Sequence, residues 1–294
     1  MASNEREIEF VKMTGAGNDF VLIDNRSGRL SFDWKSVARS LCERRCSIGA
    51  DGLLVIETST KADFLMRYFN ADGSDGGMCG NGGRCAASYI MRETGTPRIS
   101  FEALDHLYFA TLEQDQNIKL SMKDPVDVRT EILLPIQDVP LPMHFIDTGA
   151  PHAVIFMDEL PPPHVREIQT NGIVGLGKDI RSHSEFAPQG TNVDFVELHG
   201  NSRLSIRTYE RGVERETLAC GTGSVACAIM SSLRRSISSP VSVRTLGGET
   251  LVVSFRKEGG RFVHVELEGP ANNVFSGRIH YEPMKSAGTP TVLA

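Results

Sequence analysis

The chain has 294 residues, 40% of them hydrophobic and 23% charged, which is an ordinary globular composition and long enough for two domains with their own cores. Its net charge of −6 argues against nucleic acid or an anionic membrane surface as partner, and no stretch approaches the ~18 apolar residues of a membrane span. The N-terminal segment is charged and lacks an apolar signal core, so a cytoplasmic location is expected, with the six cysteines held as thiols.

In chain order, Ile8 to Met13 reads as a strand, Thr14 to Asp19 as a turn-rich loop, and Phe20 to Ile23 as a continuous apolar strand. Phe32 to Arg45 reads as a helix, with Asp33 as N-cap and Trp34, Val37, Ala38 and Leu41 on one apolar face. Leu53 to Glu57 and Phe64 to Phe69 read as strands. A polar loop, Asn70 to Gly77, then leads into Met78-Cys79-Gly80-Asn81-Gly82 and a helix over Cys85 to Met91. Arg98 to Phe101, Leu107 to Leu112 and Ile118 to Met122 form a meander ending at Asp124-Pro125, and the stretch from Asp124 to Leu134 marks a boundary.

The pattern then restarts. Thr148-Gly149-Ala150-Pro151-His152 echoes Thr14-Gly15-Ala16-Gly17-Asn18, and Ala219-Cys220-Gly221-Thr222-Gly223 echoes the first cysteine turn before a helix over Val225 to Leu233. Gly49-Ala50-Asp51 falls on Gly190-Thr191-Asn192, and Tyr68 falls on Tyr209. Ordered matches of this kind indicate a duplication. The expected architecture is an α/β fold of the α+β type with two pseudo-symmetric domains, each a central helix wrapped by mainly antiparallel strands. The halves are residues 1–127 and 128–272, with the tail 273–294 packing back on the first and fraying beyond Glu282.

Each of Cys79 and Cys220 would sit at a helix N-terminus, where unpaired N–H groups stabilise a thiolate or a developing anion. Glycines beside them let backbone donors approach a bound anion. The rival reading is a small buried hydrophobe, which suits Cys42, Cys46, Cys85 and Cys227 better. The cysteine spacings fit neither a zinc knuckle nor a C-x-x-C redox pair. Gly221-Thr222-Gly223-Ser224-Val225-Ala226 matches a dinucleotide fingerprint literally, but it does not follow the first strand, and the next strand is not followed by an acid. Glu210-Arg211 reads either as a surface ion pair or as a carboxylate clamp, and His152 either as a plain loop residue or as a group tuning a thiol.

Together these motifs resemble the diaminopimelate epimerases. The resemblance runs from Ile8 to about Tyr281 and rests on Gly17-Asn18-Asp19-Phe20, Asn70-Ala71-Asp72-Gly73-Ser74, Met78-Cys79-Gly80-Asn81-Gly82, Gly190-Thr191-Asn192-Val193, Glu210-Arg211-Gly212 and Ala219-Cys220-Gly221-Thr222-Gly223. It implies a cofactor-independent, metal-free epimerase of lysine and peptidoglycan-precursor biosynthesis that interconverts LL- and meso-2,6-diaminopimelate, with Cys79 and Cys220 as acid and base. It further implies substrate binding by Asn18, Asn70, Asn192, Glu210 and Arg211, and backbone donors from Gly80-Asn81 and Gly221-Thr222 for the α-carboxylate. His152 and Glu210 would modulate the thiols, and a homodimer would form through the region of Phe275. A disulfide bridging Cys79 to Cys220 would abolish activity. Ala150 and Gly52 depart from the pattern, standing where members often carry Asn and Gln, and the loop 212–216 is one residue longer than in some. A proline or hydroxyproline racemase of the same fold, or a non-catalytic amino-acid-binding protein, are the alternatives.

Overall fold

A computed structural model describes residues 7–281; the tail expected to fray beyond Glu282 lies outside them. The first half runs β1 (Glu7–Gly15), β2 (Asn18–Asp24), α1 (Trp34–Leu41), β3 (Gly52–Glu57), β4 (Phe64–Asn70), α2 (Gly80–Thr94), β5 (Arg98–Ala103), β6 (His106–Leu112) and β7 (Ile118–Ser121). The second runs β8 (Val126–Ile136), β9 (Val139–Asp147), β10 (Pro151–Phe156), α3 (Pro162–Asn171), α4 (Val174–Arg181), β11 (Asn192–Leu198), β12 (Arg203–Glu210), β13 (Arg215–Thr217), α5 (Gly221–Arg235), β14 (Val241–Arg244), β15 (Thr250–Glu258) and β16 (Arg261–Gly269). The last strand, β17 (Asn272–His280), returns to the first half and pairs antiparallel with β1.

The pairing pattern is the same in both halves. In the first, β1–β2 is antiparallel, β2–β3 parallel, β3–β4 antiparallel, β4–β5 parallel, and β5–β6 and β6–β7 antiparallel. In the second, β9–β10, β10–β11, β11–β12, β12–β14, β14–β15 and β15–β16 repeat that order of directions. The equivalent strands β7 and β16 pair with each other and join the halves into one sheet. Both central helices, α2 and α5, are 15 residues long.

Local chemistry accounts for the elements. Asp33 caps α1 by accepting from the Lys35 N–H, and Trp34, Val37, Ala38 and Leu41 are its buried face. That helix stops at Leu41 instead of continuing to Arg45: the Cys42 N–H closes the last turn onto the Ala38 carbonyl, and Arg45 takes a left-handed φ of 74°. Helices α2 and α5 carry small residues on the side where they meet the sheet, and they share one apolar core with Phe101, Leu120, Val253 and Leu267. Behind the sheet, α1 covers Val21, Leu53 and Val55 in the first half, while α3 and α4 cover Ile155 and Phe195 in the second. The stretch from 124 to 134, expected as a boundary, is largely strand: β8 pairs along β9 with two register shifts. Among the described residues, no helix is long and apolar enough to cross a membrane.

Candidate active site

Each central helix begins on a cysteine. Cys79 is the N-cap of α2 in extended conformation, and the Gly82 N–H donates to its Sγ at 3.4 Å. Cys220 caps α5 in the same way, accepting from the Gly223 N–H at 3.4 Å. The helices therefore start at Gly80 and Gly221, several residues before the apolar stretches that the sequence reading picked out, because the Gly-polar-Gly segments are themselves the first turns.

The two N-termini abut. A Cβ added at Gly221 would lie 3.6 Å from the Gly80 Cα, 3.4 Å from the Asn81 Oδ1 and 3.1 Å from Leu267. Only a residue without a side chain allows this approach without displacing a neighbour. The positive ends of two helix dipoles thus converge on one place, with a cysteine capping each.

A chain of hydrogen bonds supports each cysteine turn. In the first half, the buried Arg84 donates from Nη2 to the Asn81 Oδ1 at 2.7 Å, and Asn81 Nδ2 donates to the Asn18 Oδ1 at 2.6 Å. Asn18 Nδ2 in turn donates to the Asp51 Oδ2 at 3.0 Å. Arg44 bridges Asp51 and Asp19, and Lys12 holds Asp19 at 2.7 Å while donating to the Gly49 carbonyl. Burial would raise the Asp19 carboxyl, but hydrogen bonds from Arg44 and Lys12 outweigh it and hold the group below the usual carboxylate range. In the second half, His152 lies between Asp194 and Thr222, with Nδ1 2.6 Å from the Asp194 Oδ2 and Nε2 3.0 Å from the Thr222 Oγ1. Asn192 Nδ2 approaches the same Nε2 at 3.4 Å, and the Thr222 Oγ1 is 3.5 Å from the Cys220 Sγ.

A cleft of about 670 Å³ opens beside these turns. Of the residues expected from sequence, Asn18, Asn70, Cys79 and Glu210 line it. Gly80, Asn81, Gly221, Thr222, His152, Asn192 and Cys220 stand outside its lining, and of these Asn81, His152, Asn192 and Cys220 have buried side chains. Arg211 also stands outside: its backbone N–H donates to the Asn192 Oδ1 at 2.9 Å and its Nη1 to the Gln189 carbonyl at 3.2 Å. The cationic side chains on the cleft are instead Arg44 and Arg215.

Burial pushes the Cys79 thiol up to about 11, and the Glu210 carboxylate adds to the rise against backbone donors from Gly82 and Asn81. Burial pushes Cys220 well above its ordinary value, with Glu210 and Asp194 adding to it. Glu210 is itself raised, by desolvation first, while His152 pulls the other way. Glu210 therefore acts on both thiols.

Sequence reasoning missed Tyr68, Arg44 and Asp194. Tyr68 lines the cleft and fills the space at position 52, where a Cβ would meet its Cε2 at 2.4 Å. Asp194 had one signal: a lone acid in the otherwise apolar run from Val193 to Val196.

Fold and site together define a diaminopimelate epimerase-like protein, two copies of one α/β unit with a cysteine at the head of each central helix. Similar solved structures include a PhzF-family phenazine biosynthesis protein from Bacillus anthracis, with TM-score 0.69 at 14% identity over 93% of this chain and 99% of that one. A hydroxyproline epimerase from Agrobacterium vitis superposes with TM-score 0.68 at 13% identity over 94% of this chain and 93% of that one. The family model described as diaminopimelate epimerase matches residues 10–128 and 144–274. A diaminopimelate epimerase of Chlorobaculum tepidum is 45% identical over 91% of this chain and 99% of its own length. One of Hydrogenobaculum sp. is 40% identical over 92% and 98%. The chain belongs to the diaminopimelate epimerase family and is an isomerase.

Proposed function

We propose that this chain interconverts LL- and meso-2,6-diaminopimelate without a cofactor, in lysine and peptidoglycan-precursor biosynthesis, with Cys79 and Cys220 as the two acid–base groups. The observation that carries the reading is the meeting of two cysteine-capped helix N-termini at Gly80 and Gly221. Epimerisation removes an α-proton and returns one to the opposite face. A single base would have to change faces; two thiols, one from each half, avoid that, one entering as thiolate and the other as thiol. The carbanion places charge on the α-carboxylate, where the N–H groups of both first turns, from Gly80-Asn81 and Gly221-Thr222, stabilise it. Asn18, Asn70, Asn192, Glu210 and Arg211 hold the rest of the substrate, and Glu210 and His152 set the proton balance of the thiols. Burial raises both thiols and Glu210 adds to the rise, so the substrate's ammonium groups, by offsetting Glu210, favour ionisation of one of them. A second copy of the chain completes the assembly through the region of Phe275, and the protein works in the cytoplasm, where its thiols stay reduced.

The test is α-proton exchange with LL-diaminopimelate in D₂O under reducing conditions, followed by NMR. The expected result is deuterium at the α-carbon together with the meso isomer from the native chain, and loss of epimerisation by 10³-fold or more, an order-of-magnitude figure, in Cys79→Ala and Cys220→Ala. Absence of exchange from the reduced native chain would exclude this substrate, and epimerisation surviving in either variant would exclude the two-thiol mechanism.

A further inference from the structure

The two halves are built alike but their hydrogen-bond chains are not. The position of His152 in the second half is held by Asn18 in the first, and that of Thr222 by Asn81. Asn81 and Asn18 are amides, and Arg84 fixes their direction, so neither can accept a proton from Cys79. The second chain has different chemistry. Asp194 is fully buried and both its oxygens are occupied, Oδ1 by the Thr208 hydroxyl at 2.7 Å and Oδ2 by the His152 Nδ1 at 2.6 Å. A carboxylate only accepts, so Nδ1 carries the hydrogen and Nε2 presents a lone pair. Both groups next to Nε2, the Thr222 hydroxyl and the Asn192 amide, can donate to that lone pair. With its own hydrogen given to Nε2, the Thr222 oxygen is free to accept from the Cys220 thiol at 3.5 Å.

We propose that Asp194 is a positioning residue for His152 and that the Thr222 hydroxyl is a proton bridge, so that Cys220 ionises by handing its proton to His152, while the equivalent positions beside Cys79 carry only amides. The Cys220 S–H bond breaks and an O–H bond forms on Thr222 as the hydroxyl's original hydrogen moves to Nε2. The products are a thiolate and an imidazolium held by the Asp194 carboxylate, with protons and charge conserved. This deepens the two-thiol reading, on which it rests, by making the thiols unequal. It adds a side-chain role for Thr222 beside that of its backbone N–H.

The charged and titratable groups facing this chain are few. Cys220 faces Glu210 from β12, Asp194 from β11 and Cys227 from its own helix, and His152 faces Asp194 and Glu210. Taken as a bare charge, Asp194 opposes ionisation of Cys220, as burial and Glu210 also do. The two possible roles of Asp194 therefore predict opposite signs: as a bare nearby charge, its removal frees the thiol, whereas as the anchor of a proton acceptor, its removal ties the proton down. Space for a shift is lacking, since a Cβ on Gly223 would lie 2.6 Å from the Asp194 Oδ1.

The experiment is alkylation of the reduced full chain by iodoacetamide between pH 6 and 9, with the rate at each cysteine read by peptide mass spectrometry. It needs neither substrate nor turnover. Asp194→Asn and Thr222→Val are each expected to slow labelling of Cys220 about tenfold at a given pH, one unit of its titration, and to leave Cys79 within twofold. Thr222→Ser, which keeps the hydroxyl, is expected to label like the native chain. Unchanged or faster Cys220 labelling in Thr222→Val, or slowing of both thiols together, overturns the proposal. If Asp194→Asn unfolds and exposes every cysteine, the Val and Ser variants at position 222 decide it. Because turnover is not used, a hydroxyl-dependent Cys220 in a protein that fails to exchange diaminopimelate would refute the reaction and leave the bridge standing.

Discussion

Tyr68 shows how a single side chain can take over space that the backbone leaves open. Gly52 has no room for a methyl group, since its Cβ would lie 2.4 Å from the Tyr68 ring and 2.6 Å from the Phe69 carbonyl oxygen. The ring can turn toward the cleft, but the carbonyl belongs to strand β4, paired with β3 at that residue, and cannot. Gly52→Ala is therefore expected to cost about 1–3 kcal/mol, a fall of several degrees in Tm by calorimetry, only partly recovered when Tyr68→Ala is added. Complete recovery in the double variant would show that the ring, not the carbonyl, sets the constraint. At this scale, legibility depended on punctuation. Cys79 and Cys220 announced themselves because a cysteine between a polar loop and Gly-polar-Gly is a poor core residue. Asp194 and Tyr68 lie inside strands, where partners come from residues far along the chain: Asp194 meets His152 across 42 positions. Nothing local to either residue encodes that.

Among the elements, the helices concentrate the buried thiols. Cys42 closes α1, Cys79 and Cys220 open α2 and α5, and Cys85 and Cys227 lie within those two helices. Burial pushes Cys42 and Cys85 up to about 12 and Cys79 to about 11, and carries Cys220 and Cys227 well above the ordinary thiol value. The folded chain thus keeps protons that the unfolded chain gives up near pH ~8.5. With fewer protons bound in the unfolded state, stability is complete below that pH and falls as pH rises toward 11–12, by about 1.4 kcal/mol per pH unit for each such thiol. Urea midpoints under reducing conditions should be level from pH 7 to 8 and drop steeply by pH 10; a level profile to pH 10 would mean that these thiols ionise in the folded state. Element starts were the least legible part of the helices, because glycine-rich first turns look like loop until their cysteine caps are seen. The strand β8 was hidden for a related reason. Left-handed residues at Asp127 and Glu131 and two register shifts break the alternation by which a strand is recognised.

For the whole molecule, duplication was the most legible feature, since repeated turns at matching intervals survive divergence that erases most side-chain identity. What the repeat does not reveal is how the halves are joined. The β7–β16 pairing and the return of β17 to β1 are long-range events. Among the described residues β17 pairs with β1 alone, and it exposes Val274 and Phe275 at 57% and 50% on an outer edge, the Phe275 ring meeting Phe10 edge-on at 5.9 Å. An open edge with apolar side chains is a site for association. If the homodimer forms there, Phe275→Asp should convert a dimer to a monomer in sedimentation velocity at micromolar concentration; a dimer unaffected by the change would place the contact elsewhere.

The same strand also reverses the order in which the halves can be finished. The second half, though made later, has all its strand partners by Gly269, apart from the joint to β7, whereas the first half lacks a cover for β1 until residues 272–280 arrive. At about 5–20 residues per second on the ribosome, β1 waits on the order of tens of seconds with one edge bare. The amino-terminal half is the first to be translated and the last to be closed.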